Sequence, residues 1–168
     1  KELFEGNQAL FTGLYAEKNW DWSVRYPVIR LSLGARVAKT PEILTAALDK
    51  QLGYLEALHH CPATYSDIPN RLADLIEKLS ARTGQRVVVL IDEYDKPILD
   101  NITEPELALV MRNALRDLYA VLKDSDAYLK FVFITGVSKF SKVSLFSGLN
   151  NLNDITIVPL YSAICGYT

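Results

Sequence analysis

The sequence predicts an α/β protein, a parallel sheet with helices on both faces. Three observations carry this. Residues 87–91, Val-Val-Val-Leu-Ile, form an unbroken aliphatic run. A strand covered on both faces reads continuously in this way, whereas a strand with one wet face alternates. Segments with apolar residues at helical spacing lie before and after that run, and a further apolar run, Phe131 to Ile134, follows the last of them. Such alternation of strand and helix, with short connections, is the order of a parallel sheet joined by right-handed crossovers.

The 168 residues suit one domain, and at 49% hydrophobic and 23% charged they supply a sizeable core. A net charge of −2 gives no bulk basic field of the kind that draws nucleic acid, although a local basic patch remains compatible with it. Cys61 and Cys165 lie far apart and make no disulfide framework, so a reducing cytoplasm is the expected compartment. No apolar run approaches the roughly 20 residues that span a bilayer. Both ends read as cut, so the sequence is expected to be a piece of a longer protein.

In order, Lys1 to Glu5 reads as the tail of a helix stopped by Gly6-Asn7, and residues 8–16 as a helical turn closed by Gly13. Trp20 and Trp22 are expected to pack a loop onto a sheet edge. Residues 26–33 form a strand whose Arg30 and Ser32 make one face more polar, with Pro27 suited to an edge strand or a strand entry. Thr40-Pro41 caps and opens a helix that runs to about His60, with Ile43, Leu44, Ala47, Leu48, Leu52, Leu55 and Leu58 at helical spacing. His59-His60-Cys61 is an ordinary helix end, because adjacent residues cannot all turn to one metal ion. Ser66 or Asp67 caps the next helix, which buries Leu72, Leu75, Ile76 and Leu79 and ends at Gly84. Thr103 and Glu106 predict a capping box for a long helix carrying Leu107, Val110, Met111, Ala114, Leu115, Leu118 and Leu122. Residues 130–138 predict a third buried strand, and residues 154–159 a shorter fourth.

The chemistry gathers where the strands end. Asp92 and Glu93 follow the central run at once, with Asp95 behind them. In parallel α/β sheets ligands bind beyond the carboxyl ends of the strands. An aliphatic strand ending in Asp-Glu is the pattern of a Walker B strand, in which the first acid lies near Mg²⁺ and the second orients or deprotonates the attacking water. The alternative is an acid that only caps the next helix or pairs with a neighbour such as Lys96. If the strand through Phe131 lies beside the central one, Thr135 emerges next to Asp92 and Glu93, where a short polar side chain can hold water or sense a terminal phosphate. The alternative there is a simple strand end followed by a glycine turn at Gly136. Lys139 and Lys142 are candidate contacts for phosphate, nucleic acid or a partner, or else a solvated basic loop. Arg112 and Arg116 are further candidates for a basic group at a transition state.

Two stretches, Leu90-Ile91-Asp92-Glu93-Tyr94-Asp95-Lys96-Pro97-Ile98 and the long segment from Phe133 through Thr135-Gly136-Val137-Ser138-Lys139 to Ile155, resemble the AAA-ATPase-like family. Its members are mostly bacterial and often carry a PD-(D/E)XK nuclease-like domain at the C-terminus. Residues 1–15 and 161–168 also resemble it. The resemblance implies a three-layer P-loop NTPase-like sheet, ATP and Mg²⁺ as ligands, and Asp92 as the Mg²⁺-associated acid, through water. It implies Glu93 as the catalytic base and Thr135 near the sensor position. The resemblance also implies that the family's phosphate-binding loop, ending Gly-Lys-Ser, lies just before Lys1, and no Gly-Lys pair occurs in this chain. Residues 1–168 are therefore expected to be a partial domain, truncated at the N-terminus, without the first strand, the phosphate loop or the nuclease-like domain. Such a piece would bind ATP poorly by itself.

The first functional reading is an ATP-hydrolysing domain that switches an attached effector, with nucleic acid as a partner of that effector and oligomerisation as a source of a basic group. A second is a non-catalytic interaction module on the same fold, recruiting its partner through Lys139, Lys142 and nearby aromatics. A third, a metal nuclease built on Asp92, Glu93 and Asp95, needs acids converging from several elements, and only one cluster is visible.

Overall fold

The computed structural model describes residues 1–34, 37–137, 152–156 and 158–161. Three parallel strands form the sheet in the order β1 (Val28–Ser32), β2 (Val87–Asp92), β3 (Leu129–Ile134). The helices are α1 (Tyr15–Asn19), α2 (Pro41–Leu58), α3 (Ile68–Thr83), α4 (Lys96–Leu99) and α5 (Pro105–Asp124). The α/β class and the parallel sheet agree with the sequence reading.

Side chains alternate across a strand, so each strand sends one set to each face. Ile29 and Leu31 of the first strand with Leu33 just after it, Val87, Val89 and Ile91 of the second, and Leu129 with Val132 and Ile134 of the third join one core with α2, α3 and α5. The second face carries Val28, Arg30, Ser32, Val88, Leu90, Asp92, Phe131 and Phe133. Over it lies the N-terminal segment, whose Phe4 stacks on Phe131 with ring centroids 5.5 Å apart and meets Trp20 edge-on at 5.3 Å. Trp20 thus packs its loop onto Phe4, and Phe4 in turn meets the sheet. Val88 is fully buried because both faces are covered at that point.

The two edges of the sheet differ from each other. At β1, the Gln51 amide of α2 accepts from Ser32 N–H at 2.8 Å and donates to Ser32 C=O at 3.0 Å. For Ser32, one side chain there does what a neighbouring strand would do. At β3, the expected burial is not found. Phe131 is 44% exposed, because this strand is the last of the sheet among the described residues and its ring meets only the Phe4 and Phe133 rings among the aromatic contacts of those residues.

Several boundaries fall where their chemistry predicts. Thr40 accepts from Ile43 N–H with Pro41 following, Asp67 accepts from Asn70 N–H, and Gly84 ends α3 at φ +66°. On α2, Leu44, Leu48, Leu52 and Leu55 are buried, while Ile43 and Leu58 at the ends of the stripe stay half exposed. Val110 is likewise outside the buried stripe of α5.

Other expectations are corrected. Residues 2–6 form successive hydrogen-bonded turns and not a helix, with Asn7 N–H donating to Glu2 C=O at 3.0 Å. The aromatic contacts of Phe4 set this path. The capping box at Thr103 and Glu106 does not form. Pro105 takes the first helical position and Glu104 is the residue before it, with no side-chain cap, so Glu106 sits one position too early. The fourth strand is absent among the described residues of 154–159. There the Asp154 carboxylate accepts from Thr156 N–H at 3.0 Å and from Thr156 Oγ1 at 2.6 Å. That local turn competes with an extended ladder, and Pro159–Tyr161 closes into a 3-10 turn.

One buried charge group binds α2 to α3. Arg71 and Glu56 side chains are each 8% exposed and share two hydrogen bonds, Nε to Oε1 at 3.0 Å and Nη2 to Oε2 at 2.6 Å. Nη1 also donates to Asp49. The paired acids hold the Arg71 guanidinium well above its ordinary range, so it stays charged. Removing one member leaves the other buried without its partner. Arg71→Met is expected to lower the unfolding free energy by about 3 kcal/mol in denaturant titrations, whereas Arg71→Met with Glu56→Leu recovers most of that loss.

Candidate functional site

The register of the strands brings their polar ends together. Ser32 lies opposite Asp92, and Arg30 opposite Leu90. Ile134 pairs with Ile91, so Thr135 arrives beside Asp92, and Thr135 N–H donates to Ile91 C=O at 2.9 Å. By the period of two along each strand, Arg30, Asp92 and Thr135 all belong to the second face. Arg30 is a diagonal neighbour of Asp92, a distance that a long side chain spans.

The contacts follow. Thr135 Oγ1 donates to Asp92 Oδ1 at 2.7 Å. Arg30 Nη2 stands 3.6 Å from Asp92 Oδ2, with the two side chains 57% and 47% exposed. The Glu93 N–H points at Thr135 Oγ1 at 3.4 Å, and Tyr94 N–H donates to Thr135 C=O at 2.9 Å. One threonine therefore ties the exit of β3 to three successive residues of the exit of β2. Lys96, the alternative partner for these acids, instead pairs with Asp100 at 2.7 Å.

Glu93 has a positive φ of +55°. A non-glycine residue rarely adopts this conformation, and at a strand end it turns the chain sharply. The turn lays the Glu93 side chain above Gly34, just past β1. A Cβ on Gly34 would fall 1.1 Å from Glu93 Oε2 and 2.2 Å from its Cδ. Gly34 is thus the seat of the Glu93 carboxylate.

Asp95 behaves differently from the other two acids. It is fully buried, and both of its carboxylate oxygens accept from Val137 N–H, at 3.2 and 3.0 Å. It clamps the chain that leaves Thr135. Tyr94 is buried too, and its carbonyl accepts from Tyr119 Oη of α5 at 3.3 Å. Burial pushes the Tyr119 phenol well above its ordinary pKa, so it is a neutral donor. Asp95 and Tyr94 are the foundation under Asp92 and Glu93.

Arg112 is half-buried and Arg116 exposed on α5, where Arg116 lies 3.5 Å from Asp117. No hydrogen bond or ion pair joins either to Asp92 or Thr135 among the described residues. Lys139 and Lys142 lie outside the described residues. Sequence reasoning overlooked Arg30, Gly34 and Gly136. Arg30 had a signal, a charge in an otherwise apolar strand, but its partner depends on register. The glycines followed strands and read only as turns.

The donor set suits a hard cation. A half-exposed carboxylate and a hydroxyl are oxygen ligands, the type that Mg²⁺ takes. Among the described residues no three of His, Cys, Asp and Glu converge as a metal cage. Mg²⁺ commonly keeps its waters and uses one or two carboxylates with substrate phosphates, and the exposed Asp92 end fits that mode.

The two glycines predict opposite outcomes. A Cβ on Gly136 would lie 2.4 Å from the buried Tyr94 ring and 2.7 Å from Asp95 Oδ1, neither of which can move freely. Gly136→Ala is expected to lower stability by about 1–3 kcal/mol in thermal or chemical unfolding. The atoms over Gly34 are the end of a flexible side chain. Gly34→Ala is therefore expected to leave the unfolding midpoint nearly unchanged, while a crystal structure of the variant shows Glu93 in another rotamer.

The model of the AAA-ATPase-like family, described as "Predicted AAA-ATPase", matches residues 1–146. A protein of Azotobacter chroococcum mcd 1, named "Uncharacterized protein in vnfD 5'region", is 52% identical over 167 residues, covering 99% of this chain and 32% of that protein. The chain thus spans about a third of the relative's length. No solved structure matches the chain. No helix among the described residues is long and apolar enough to cross a membrane. With the family model matching most of its length, the chain belongs to the AAA-ATPase-like family.

Proposed function

We propose that the strand-end cluster is the acidic half of an ATP-hydrolysing site, with β2 as its Walker B strand. The observation that carries this reading is the 2.7 Å hydrogen bond from Thr135 to Asp92 across adjacent parallel strands. It puts a polar side chain of the neighbouring strand on the first acid of the Asp-Glu pair, at the sheet end where ligands of such folds bind. Asp92 would hold Mg²⁺ through water. The bound Mg²⁺ would neutralise phosphate charge in the transition state. Thr135 aims the Asp92 carboxylate and leaves its hydroxyl oxygen next to the Glu93 amide. Glu93, released from above Gly34, would accept a proton from the attacking water and orient it.

The phosphate-holding half is absent from the sequence, which contains no Gly-Lys pair. In this proposal it belongs to residues outside it, and residues 1–168 alone turn over no ATP. Arg112, Arg116, Lys139 and Lys142 are retained as candidate phosphate or partner contacts. Any nucleic acid would be met by an attached domain.

The test is Mg²⁺-dependent ATP binding and turnover by the full-length protein. Glu93→Gln is expected to bind ATP as wild type does and to lose about 10²–10⁴ in turnover, the usual contribution of a general base. Asp92→Ala is expected to weaken Mg²⁺-ATP binding itself. Wild-type protein that neither binds nor hydrolyses ATP would overturn the enzyme reading in favour of a non-catalytic interaction module on the same fold.

A further inference from the structure

Resting on the metal role proposed for Asp92, we infer that Arg30 is the resting counter-ion of that carboxylate and that a divalent cation must displace it. Both oxygens of Asp92 are engaged. Oδ1 takes the Thr135 hydroxyl at 2.7 Å, and Oδ2 faces the Arg30 guanidinium at 3.6 Å. A divalent ion approaching Asp92, directly or through its water shell, comes within a few ångströms of that guanidinium. Like charges at such separations repel, more strongly than usual because the ion carries two charges.

The contact is built to break. Both side chains are about half exposed, and 3.6 Å is a loose separation. Ion pairs of this kind add little to stability. Arg30 is also held in place by the sheet and not by a flexible loop, since β1 pairs with β2 through Val28↔Val88 to Ser32↔Asp92. Its tether fixes how far the guanidinium can retreat, so a residual repulsion persists after the ion binds. No other cationic side chain is paired with Asp92 among the described residues, and the nearby Lys96 is taken by Asp100. Arg30 is thus a positioning residue that sets the affinity of the site for its ion.

Mn²⁺ binding to the full-length protein, followed by the electron paramagnetic resonance signal of the free ion, tests this without reference to turnover. Arg30→Gln and Arg30→Ala are expected to bind Mn²⁺ about three- to tenfold more tightly than wild type at low ionic strength. Arg30→Lys, which keeps the charge, is expected to stay near wild type. Asp92→Asn is expected to abolish binding, and adding Arg30→Gln to it is expected to change nothing. If Asp92→Asn abolishes binding while Arg30→Gln and Arg30→Ala leave it unchanged or weaker, the counter-ion role is overturned and the metal role of Asp92 stands. If Asp92→Asn binds Mn²⁺ like wild type, or no variant binds it at all, both fall together.

Discussion

The site depends first on parallel registration of three strands. Because Ser32 meets Asp92 and Ile91 meets Ile134, the polar residues that end each strand arrive together at the carboxyl end of the sheet on one face. A slip of one residue at either pairing would send Arg30 or Thr135 to the opposite face, among the helices. The alternation of β1 opposes this. Exposed Arg30 lies between buried Ile29 and Leu31, so a slip would carry the charge into the core and the aliphatic side chains out of it. The alternating strand and the polar strand ends are therefore one device. The first holds register, and the second uses it.

Beneath the exposed acids lies a buried layer that makes the turn rigid. Asp95 accepts the Val137 amide, Tyr119 donates to the Tyr94 carbonyl, and Thr135 exchanges backbone bonds with Ile91 and Tyr94. Glu93 keeps its positive φ because both neighbours are tied down. Three acids that look alike in sequence thus divide by environment. Asp92 is half-exposed and paired, Glu93 is turned over Gly34, and Asp95 is a structural acceptor. This division also argues against the metal-nuclease reading, since the buried Asp95 does not face outward with the other two.

Away from the site, the molecule relies on side chains where strands or caps are missing. Gln51 satisfies the outer N–H and C=O of Ser32, and Asn101 donates to the carbonyls of Ala38 and Pro97 at 2.7 and 2.8 Å. The second of these ties the segment following β1 to the segment following β2. Both segments that flank Glu93 are thereby joined behind it.

How much could be read without coordinates follows from which forces were local. The buried central strand, the helices opened by Thr40-Pro41 and Asp67, and the stop at Gly84 were legible because periodicity and capping act within a few residues. Asp92, Glu93 and Thr135 were legible as strand-end polar residues for the same reason. The capping box at Thr103 failed because Pro105 decided the start of its helix, and no strand forms among the described residues of 154–159, where Asp154 bonds Thr156. Arg30 as the partner of Asp92, Gly34 as the seat of Glu93, and Asp95 as a buried clamp join residues 42 to 62 positions apart in sequence. No local pattern encodes those pairings. The sequence alone determined the class of the sheet and which residues end its strands, because backbone propensity and hydrophobic period are short-range. Only the tertiary structure decided which of those residues meet, because strand register and helix packing set distances across the chain.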